Sequence, residues 1–519
     1  MSNAIFKQAT AVFPRNPEVL EPLPKRQRAS SIIKEFSLNT STHGLPGIAR
    51  SQSIPNRIFW SISTLAFTGI MLYFIVQAIR AYFEYPSQTS VSIIFEWPQA
   101  FPAVTICNYS PIRYDKFIDP FLNYTNSLNL TNTTDTTNFT FIQSLYVRDF
   151  LVYKLNQGDS LKDFVYPLEA MMMSCTYNGL SCSAANFTWF LSPTYGMCYT
   201  FNAKLKNTIN DGIRYNADNG GNGVLELRLY AHRHQYVPYL SNAVGMVALV
   251  HDNAQVPNID MSAVYLSPGR HHKLGYTKKI SYFLPPPYTE CNDQVSLGMQ
   301  AAFDEYNGPN YGYSRYQCFY VCMQAYIYQT CGCGNPFIWS ARSIVLPGTN
   351  KITNISLCEI KNPCSGKTRI NFMNSKAIWS SYCPDCTEEC SNIDFNIKSS
   401  SLLAPPEFLL DSIKMFVESS NISVSANWST SMISEIQSNY VSLEVSYDTT
   451  RTDLYSEQPT LDPVDVLSNV GGQTGLWIGI SFLSLMEIAE MIYRLIRYQY
   501  YNIRKPIQNK VRIQETYIY

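Results

Sequence analysis

The stretch GGQTGLWIGISFLSLMEIAE, residues 471–490, lies inside a hydrophobic segment yet carries groups that a simple lipid anchor does not need. Gly471, Gly475 and Gly479 recur every four residues, which leaves one helical face without side chains and allows backbones to approach closely. Glu487 and Glu490 are costly in contact with lipid, so we expect them to face protein or water. The pattern predicts a polar path through a membrane. Packing of the glycine face against another helix is the alternative, and it is compatible with such a path.

Two segments are long and apolar enough to cross a bilayer. Residues 58–79 contain no charged residue between Arg57 and Arg80, and these 22 residues span roughly 33 Å as a helix. The second segment is residues 464–496, which includes the glycine-rich stretch. We therefore predict two transmembrane helices.

The distribution of charge predicts the orientation of these helices. Residues 1–57 hold eight Lys or Arg against three Glu, and residues 494–519 hold six against one Glu. The region between Arg80 and Asp465 holds 25 basic and 33 acidic residues. The positive-inside rule places both basic ends in the cytosol and residues 80–463 outside. A net charge of zero gives no indication of nucleic-acid binding.

The cysteines and glycosylation sequons lie together between the two segments. All 14 cysteines fall there, as expected of an oxidised extracellular domain. Nine N-x-S/T sequons share the region, and we predict them as glycosylation sites: Asn108, Asn123, Asn129, Asn132, Asn138, Asn186, Asn354, Asn421 and Asn427. A tenth sequon, at Asn39, lies in the predicted cytosolic tail and should stay unmodified.

Metal and catalytic chemistry are less well supported. The motifs CGC at 331–333 and CPDC at 383–386 could bind zinc, but the extracellular location and the even number of cysteines favour disulfides. The chain has no GxSxG, no HExxH and no glycine-rich phosphate loop after a strand, so we predict neither an enzyme nor a resident cofactor or metal. His232, His234, His271 and His272 could bind a metal or titrate near neutral pH, but we interpret them as ordinary surface histidines.

Four blocks in order resemble the degenerin, epithelial sodium channel and acid-sensing ion channel family over almost the whole chain. They are His43–Gly44 before the first span, FPAVTICN at 101–108, the cysteine series that begins at LPPPYTEC (284–291), and Gly479–Ile480–Ser481 in the second span. The resemblance implies a trimeric channel around one pore. It also implies disulfide partners that the residues alone leave open: Cys107–Cys198, Cys175–Cys182, Cys291–Cys390, Cys318–Cys386, Cys322–Cys383, Cys331–Cys364 and Cys333–Cys358.

The same resemblance implies roles for residues near the pore. His43 and Gly44 match the cytosolic gating motif, and Gly479, Ile480 and Ser481 match the selectivity filter, where backbone carbonyls would replace water around Na⁺. Gly475 matches the amiloride site. Further pore or gate positions are Ser468, Asn469, Gly472, Gly475 and Glu487. For Glu487 and Glu490 the alternative is a side chain that reaches the cytosolic edge near Arg494 and Arg497.

The resulting fold prediction is an α+β membrane protein with a large disulfide-rich ectodomain that has a β-sheet core and peripheral helices. Its segments are a cytosolic tail (1–57), a first span (58–79), an extracellular domain (80–463), a second span with the pore (464–496) and a cytosolic tail (497–519). We expect a homo- or heterotrimer in the plasma membrane that conducts Na⁺, is sensitive to amiloride and opens in response to an extracellular peptide. Protons, mechanical force or a constitutive leak are alternative stimuli, and a two-span scavenger or adhesion receptor is the alternative function.

Overall fold

The computed structural model describes residues 25–206, 208–216, 223–306 and 308–516. The chain divides into two compact units. The first unit is built from the two ends of the chain, up to Ser87 and from Pro459 onwards, and the second is Gln88–Gln458. Residues 1–24 of the predicted first tail (1–57) and the last three residues of the predicted second tail (497–519) lie outside the described residues.

The α-helices within the described residues follow the chain in this order: α1 Lys25–Asn39, α2 Leu45–Arg50, α3 Ile54–Phe83, α4 Tyr114–Ser127, α5 Phe141–Ser144, α6 Val147–Asn156, α7 Leu168–Met171, α8 Ile259–Ser262, α9 Leu297–Phe303, α10 Arg315–Cys331, α11 Pro363–Asn374, α12 Lys376–Tyr382, α13 Leu410–Ser419, α14 Trp428–Gln437, α15 Pro463–Ile478 and α16 Phe482–Thr516. The first unit holds α1–α3, α15 and α16, and the second unit holds the others.

The β-strands within the described residues follow the chain as β1 Ser87–Phe95, β2 Gln99–Ala100, β3 Ala103–Asn108, β4 Met172–Tyr177, β5 Leu180–Ser181, β6 Phe187–Ser192, β7 Gly196–Phe201, β8 Tyr215–Asn216, β9 Leu225–Tyr230, β10 Met246–His251, β11 Val264–Leu266, β12 Arg270–Tyr282, β13 Cys291–Asn292, β14 Ser343–Val345, β15 Ile352–Asn354, β16 Glu388–Glu389, β17 Ser391–Leu403, β18 Tyr440–Tyr447 and β19 Arg451–Pro459. The second unit is organised around two sheets of these strands.

The larger sheet has eight strands in the order β1-β19-β12-β18-β9-β4-β5, and β17 also pairs with β12. Strand β12 is its centre: it pairs with β17 in antiparallel fashion over its whole length and with β18 and β19 in parallel. The smaller sheet has five strands in the order β11-β10-β3-β7-β6. Because β3 and β10 are buried along their whole length, the smaller sheet is covered on both faces.

Apolar side chains of the two sheets form one shared core. Val104 and Ile106 of the smaller sheet belong to the same buried cluster as Leu227 of β9 and Leu443 of β18. Strand β9, with the sequence LELRLY, alternates buried leucines with exposed Glu226 and Arg228 before it ends in the core. This alternation has the two-residue period of a strand with one buried face, which is why the sequence predicts a strand there. The predicted β-sheet core is present.

Helices surround this core in satellite clusters. Phe117 and Phe121 of α4 stack on each other and meet Phe150 of α6 edge to face. A separate cluster lies under α10, where Val321 and Ile327 pack with Phe372 of α11. Helix α10 ends at Gly332, whose φ of 75° is the left-handed conformation that commonly terminates a helix.

The structure forms seven disulfides, and their partners are those that the resemblance implied. No cysteine of the described residues is free. Three bonds attach α10 itself to segments 33 to 68 positions away. The spacing of Cys318 and Cys322 places both on one face of α10, so that Cys386 and Cys383 of a single neighbouring segment can reach them.

Burial separates one predicted glycosylation site from the others. Asn108 is 1% exposed, its amide nitrogen donates to the carbonyl of Ala231 at 2.9 Å, and its amide oxygen accepts from the Tyr236 hydroxyl at 2.6 Å. A glycan has no room on this nitrogen, so the prediction of Asn108 as a glycosylation site is wrong. The other eight sequon asparagines are exposed and stay predicted sites.

Two of the four histidines interpreted from the sequence as surface residues are buried in the structure. His232 is fully buried, and its Nε2 lies 2.8 Å from the carbonyl oxygen of Ala170. Burial lowers the pKa of His232 to about 4, which keeps its imidazole neutral over the physiological range. His272 is also buried, so the interpretation as surface histidines is wrong for these two residues.

Candidate functional site

The first unit contains the apolar helices. Helix α3 is long and apolar enough to cross a membrane, and α15 with α16 up to Tyr500 also passes that test if the two are taken as one span bent by 73°. Ser53 caps the start of α3 by accepting from the backbone of Asn56, and Pro55 occupies the first turn, where a missing N–H has no cost. The bend between α15 and α16 lies inside the glycine-rich stretch from which the sequence predicted a polar path.

Helix α15 has two unlike faces. Trp477 lies on the face towards α3, where its ring stacks against Phe67 and Phe74 at centroid distances of 6.0 and 6.1 Å. The other face is exposed and carries Ser468, Asn469, Gly472 and Gly475. A Cβ atom added at Gly471, Gly472 or Gly475 would meet nothing within 4 Å. Within the described residues, the small side chains of α15 therefore leave a face without packing partners.

The bend is formed at Gly479–Ser481. Gly479 has a φ of 67°, and its amide donates to the carbonyl of Gly475, so α15 ends there with a left-handed glycine. Ser481 begins α16: its hydroxyl accepts from the amide of Ser484 at 3.3 Å, and its carbonyl accepts from the amide of Leu485. Ser484 is fully buried, and its hydroxyl also lies 3.4 Å from the carbonyl oxygen of Gly479.

The segment Thr40–Gly44, between α1 and α2, packs directly on this bend. The amide of His43 donates to the carbonyl of Ile478 at 2.7 Å, which satisfies one of the carbonyls left open at the end of α15. A Cβ atom at Gly479 would lie 2.8 Å from the His43 ring, so only glycine fits there without displacement. Ser41 places its hydroxyl 2.6 Å from that of Ser484.

Gly44 holds the same segment against α3. Its φ is 88°, and an added Cβ would lie 2.1 Å from the Thr64 hydroxyl oxygen. Three residues later, a Cβ at Gly47 would lie 2.6 Å from the ring of Trp60. The His-Gly pair therefore contacts two helices at once: His43 meets the bend, and Gly44 meets α3.

Glu487 is the acceptor for this segment on α16. One of its carboxylate oxygens accepts from the Thr40 hydroxyl at 2.9 Å and from the Ser41 amide at 2.9 Å. Glu490, one turn later, instead pairs with Arg494 at 3.2 Å. Arg494 also pairs with Glu35 of α1 at 3.2 Å, which ties α1 to α16. Glu490 thus pairs with a cationic side chain, whereas Glu487 binds backbone and hydroxyl groups. That either side chain reaches the cytosolic edge of the membrane stays a prediction.

The structure brings together some of the predicted site residues and not others. His43, Gly479, Ser481 and Glu487 surround the bend, together with Ile480 between them. Ser468 lies eleven residues before Gly479, or about 16 Å along α15, and Gly475 about 6 Å. Both lie on the exposed face of α15 and away from the Thr40–Gly44 segment.

Sequence reasoning missed Thr40, Ser41 and Ser484. A usable signal existed for Ser484, since Ser481-x-x-Ser484 before an apolar run has the spacing of a helix N-terminus. No local signal identifies Thr40 and Ser41, because their partner Glu487 lies 447 and 446 positions away. Among the described residues, no group of three His, Cys, Asp or Glu could hold a metal ion.

Known proteins are similar to this chain over most of its length. The family model described as amiloride-sensitive sodium channel matches residues 36–491. The chain is 24% identical to epithelial sodium channel subunit gamma-2 of Xenopus laevis, over 91% of this chain and 81% of that protein. It is 23% identical to acid-sensing ion channel 1C of Danio rerio, over 90% and 84%. It is also 23% identical to the FMRFamide-activated amiloride-sensitive sodium channel of Cornu aspersum, over 90% and 83%.

Proposed function

The chain belongs to the amiloride-sensitive sodium channel family, and from this premise we propose that it forms a sodium-selective, amiloride-sensitive channel in the plasma membrane. Members of this family are ion channels and not enzymes. The mixed α/β fold with its β-rich core and seven disulfides is the scaffold of the extracellular part in this proposal.

The single observation that carries the proposal is the bend at Gly479 with the Thr40–Gly44 segment packed on it. A helix that only anchors a protein in lipid gains nothing from a left-handed glycine, an N-capping serine and a buried hydroxyl in its middle. Irregular backbone at membrane depth is tolerated where it lines a water-filled path or is buried in protein. A scavenger or adhesion receptor would need neither the bend nor the exposed face of small residues on α15.

The residues then take these roles in the proposed channel. Backbone carbonyls at Gly479–Ser481 contact Na⁺ at the constriction, and the carboxylate of Glu487 favours cations below it. The exposed face of α15, with Ser468, Asn469, Gly472 and Gly475, lines the outer pore, and amiloride binds at Gly475. The absence of side chains around these glycines leaves room for a ligand ring near a narrow axis.

The proposed assembly is a homo- or heterotrimer with two spans in each subunit. The exposed small-residue face of α15 supports an assembly in which other subunits cover it. Both tails, 1–57 and 497–519, lie in the cytosol, and the spans 58–79 and 464–496 enclose the extracellular domain 80–463. The basic charge of both ends supports this orientation.

An extracellular peptide is the proposed stimulus. One relative of similar coverage is activated by the peptide FMRFamide, and another is named as acid-sensing. Burial lowers the pKa of His232 and His251 to about 4, so these two imidazoles cannot sense protons near neutral pH. This removes His232 and His251 as candidate proton sensors, while burial raises the pKa of the carboxyl groups of Asp149, Asp252 and Asp394.

Recording from oocytes that express the chain tests the proposal. We expect a sodium current that amiloride blocks, and a candidate peptide rather than a pH step should open it. Ser468→Cys, made bulky with a thiol reagent, should increase the current, whereas Ser419→Cys on the extracellular helix α13 is the control that should not respond. No current under any stimulus, with or without related subunits, would favour the receptor.

A further inference from the structure

The amino-terminal tail carries a basic motif that the proposed channel function leaves unused. In the run RQRASS, residues 26–31, Arg26 and Arg28 precede Ser31 by five and three positions. Protein kinases with an acidic peptide groove select this spacing, because carboxylates bind guanidinium groups through paired hydrogen bonds. Ser30 is out of register, since Arg28 precedes it by two positions only.

Ser31 is placed where an enzyme can reach it. Ser30 and Ser31 are both exposed, and they lie within the first two turns of α1, which begins at Lys25. The end turns of a helix open at low cost, so the motif can take the extended form that a kinase groove requires. Exposure permits modification of either serine, and the arginine spacing selects Ser31.

The contacts of α1 show what a phosphate at Ser31 would change. Ser31 and Glu35 are four residues apart and share one helical face. Glu35 pairs with Arg494 of α16 at 3.2 Å, and Arg494 also pairs with Glu490 at 3.2 Å. A phosphoserine carries about −1.5 to −2 charges and three strong acceptor oxygens, so it repels Glu35 and competes with both carboxylates for Arg494.

We propose that Ser31 is a phosphorylation site of an arginine-directed protein kinase, and that its phosphate recruits Arg494 away from Glu35 and Glu490. In the reaction the Ser31 hydroxyl oxygen attacks the γ-phosphorus of ATP, the bond between the β- and γ-phosphates breaks, ADP leaves, and the hydroxyl proton passes to a base of the kinase. Helix α1 ends at Asn39, directly before the Thr40–Gly44 segment, so a shift of α1 on α16 reaches the bend at Gly479.

The inference rests on the proposed channel and its cytosolic tail for its effect on current, but the site itself can be tested separately. The full-length chain, purified in detergent, is incubated with ATP and purified protein kinase B, and phosphate is located by mass spectrometry. We expect phosphate on Ser31 in the wild type and in Ser30→Ala. Arg28→Lys keeps the charge but loses the paired geometry, and should lower the rate about tenfold, the effect of one lost charged hydrogen bond. Two outcomes would overturn the site: phosphate on other serines but not on Ser31, or phosphorylation of Ser31 at the same rate in the wild type and in Arg28→Lys.

Currents in intact oocytes test the role of Arg494. Activation of the kinase should change the sodium current of the wild type and of Ser30→Ala. It should not change the sodium current of Ser31→Ala. Arg494→Gln should still accept phosphate at Ser31 but lose the change in current, and a full response in this variant would overturn the competition for Arg494. Labelled Ser31 without any sodium current in the wild type would contradict the proposed function and leave the site standing.

Discussion

Replacing Gly479 by alanine tests whether the Thr40–Gly44 segment packs on the bend in the working channel. Gly479 has a φ of 67°, and a left-handed backbone costs a residue with a side chain roughly 1–2 kcal/mol. The new methyl group would lie 2.8 Å from the His43 ring, and overpacking of this kind adds about 1 kcal/mol or more. The sum of about 2–3 kcal/mol lowers the population of the packed state about thirtyfold or more.

Gly471→Ala is the matched control for this substitution. It makes the same chemical change in the same helix, but its Cβ meets nothing within 4 Å and its backbone is helical. Alanine is favoured over glycine in a helix interior by up to about 1 kcal/mol, so this variant should be neutral or stabilised. The measurement is amiloride-sensitive sodium current divided by the amount of channel at the cell surface, determined by biotinylation.

A double-mutant cycle with His43→Ala separates strain from contact. The smaller residue keeps the backbone amide that donates to Ile478 but removes the ring that the new methyl group meets. We expect His43→Ala to recover about 1 kcal/mol of the Gly479→Ala defect and to leave the backbone strain. Equal currents for Gly479→Ala and Gly471→Ala, or strictly additive effects in the cycle, would refute the packing of the segment on the bend.

Three further outcomes follow from particular contacts. Glu487→Gln should reduce the sodium current per surface channel several-fold, because it removes the charge that accepts hydrogen bonds from Thr40 and Ser41. Glu490→Gln loses only an exposed ion pair and should change the current little. A larger loss for Glu490→Gln than for Glu487→Gln would contradict the role given to Glu487. Asn108→Gln should leave the glycosidase-sensitive shift in gel mobility unchanged while Asn186→Gln reduces it, and a smaller shift for Asn108→Gln would show that this asparagine is modified after all. His232 has a folded pKa of about 4, below its unfolded value of 6.5, so the unfolded chain binds more protons in acid. The free energy of unfolding should therefore fall by up to roughly 3 kcal/mol as pH drops from 6.5 to 4. His232→Gln should weaken the dependence of the thermal midpoint on pH in this range, and an unchanged dependence would exclude His232 as its source.

Much of the scaffold could be predicted because its signals are local or are carried by the family resemblance. The apolar run of α3 and the alternation of β9 are readable from periodicity alone. The partners of the 14 cysteines came from the resemblance, since the residues themselves allow many pairings. Asn108 shows the limit of such signals: its sequon is indistinguishable from that of Asn186 until the fold buries one and exposes the other.

The sequence by itself determined that a glycine, a serine and an acid interrupt the second hydrophobic segment, because lipid tolerates such residues only when something else satisfies them. Only the tertiary structure decided what satisfies them. Glu487 binds Thr40 and Ser41, and the open carbonyl of Ile478 binds the amide of His43, across more than 430 residues of chain. No periodicity or spacing can encode such a pairing, because it depends on how α1, α15 and α16 pack together and not on the residues near either partner.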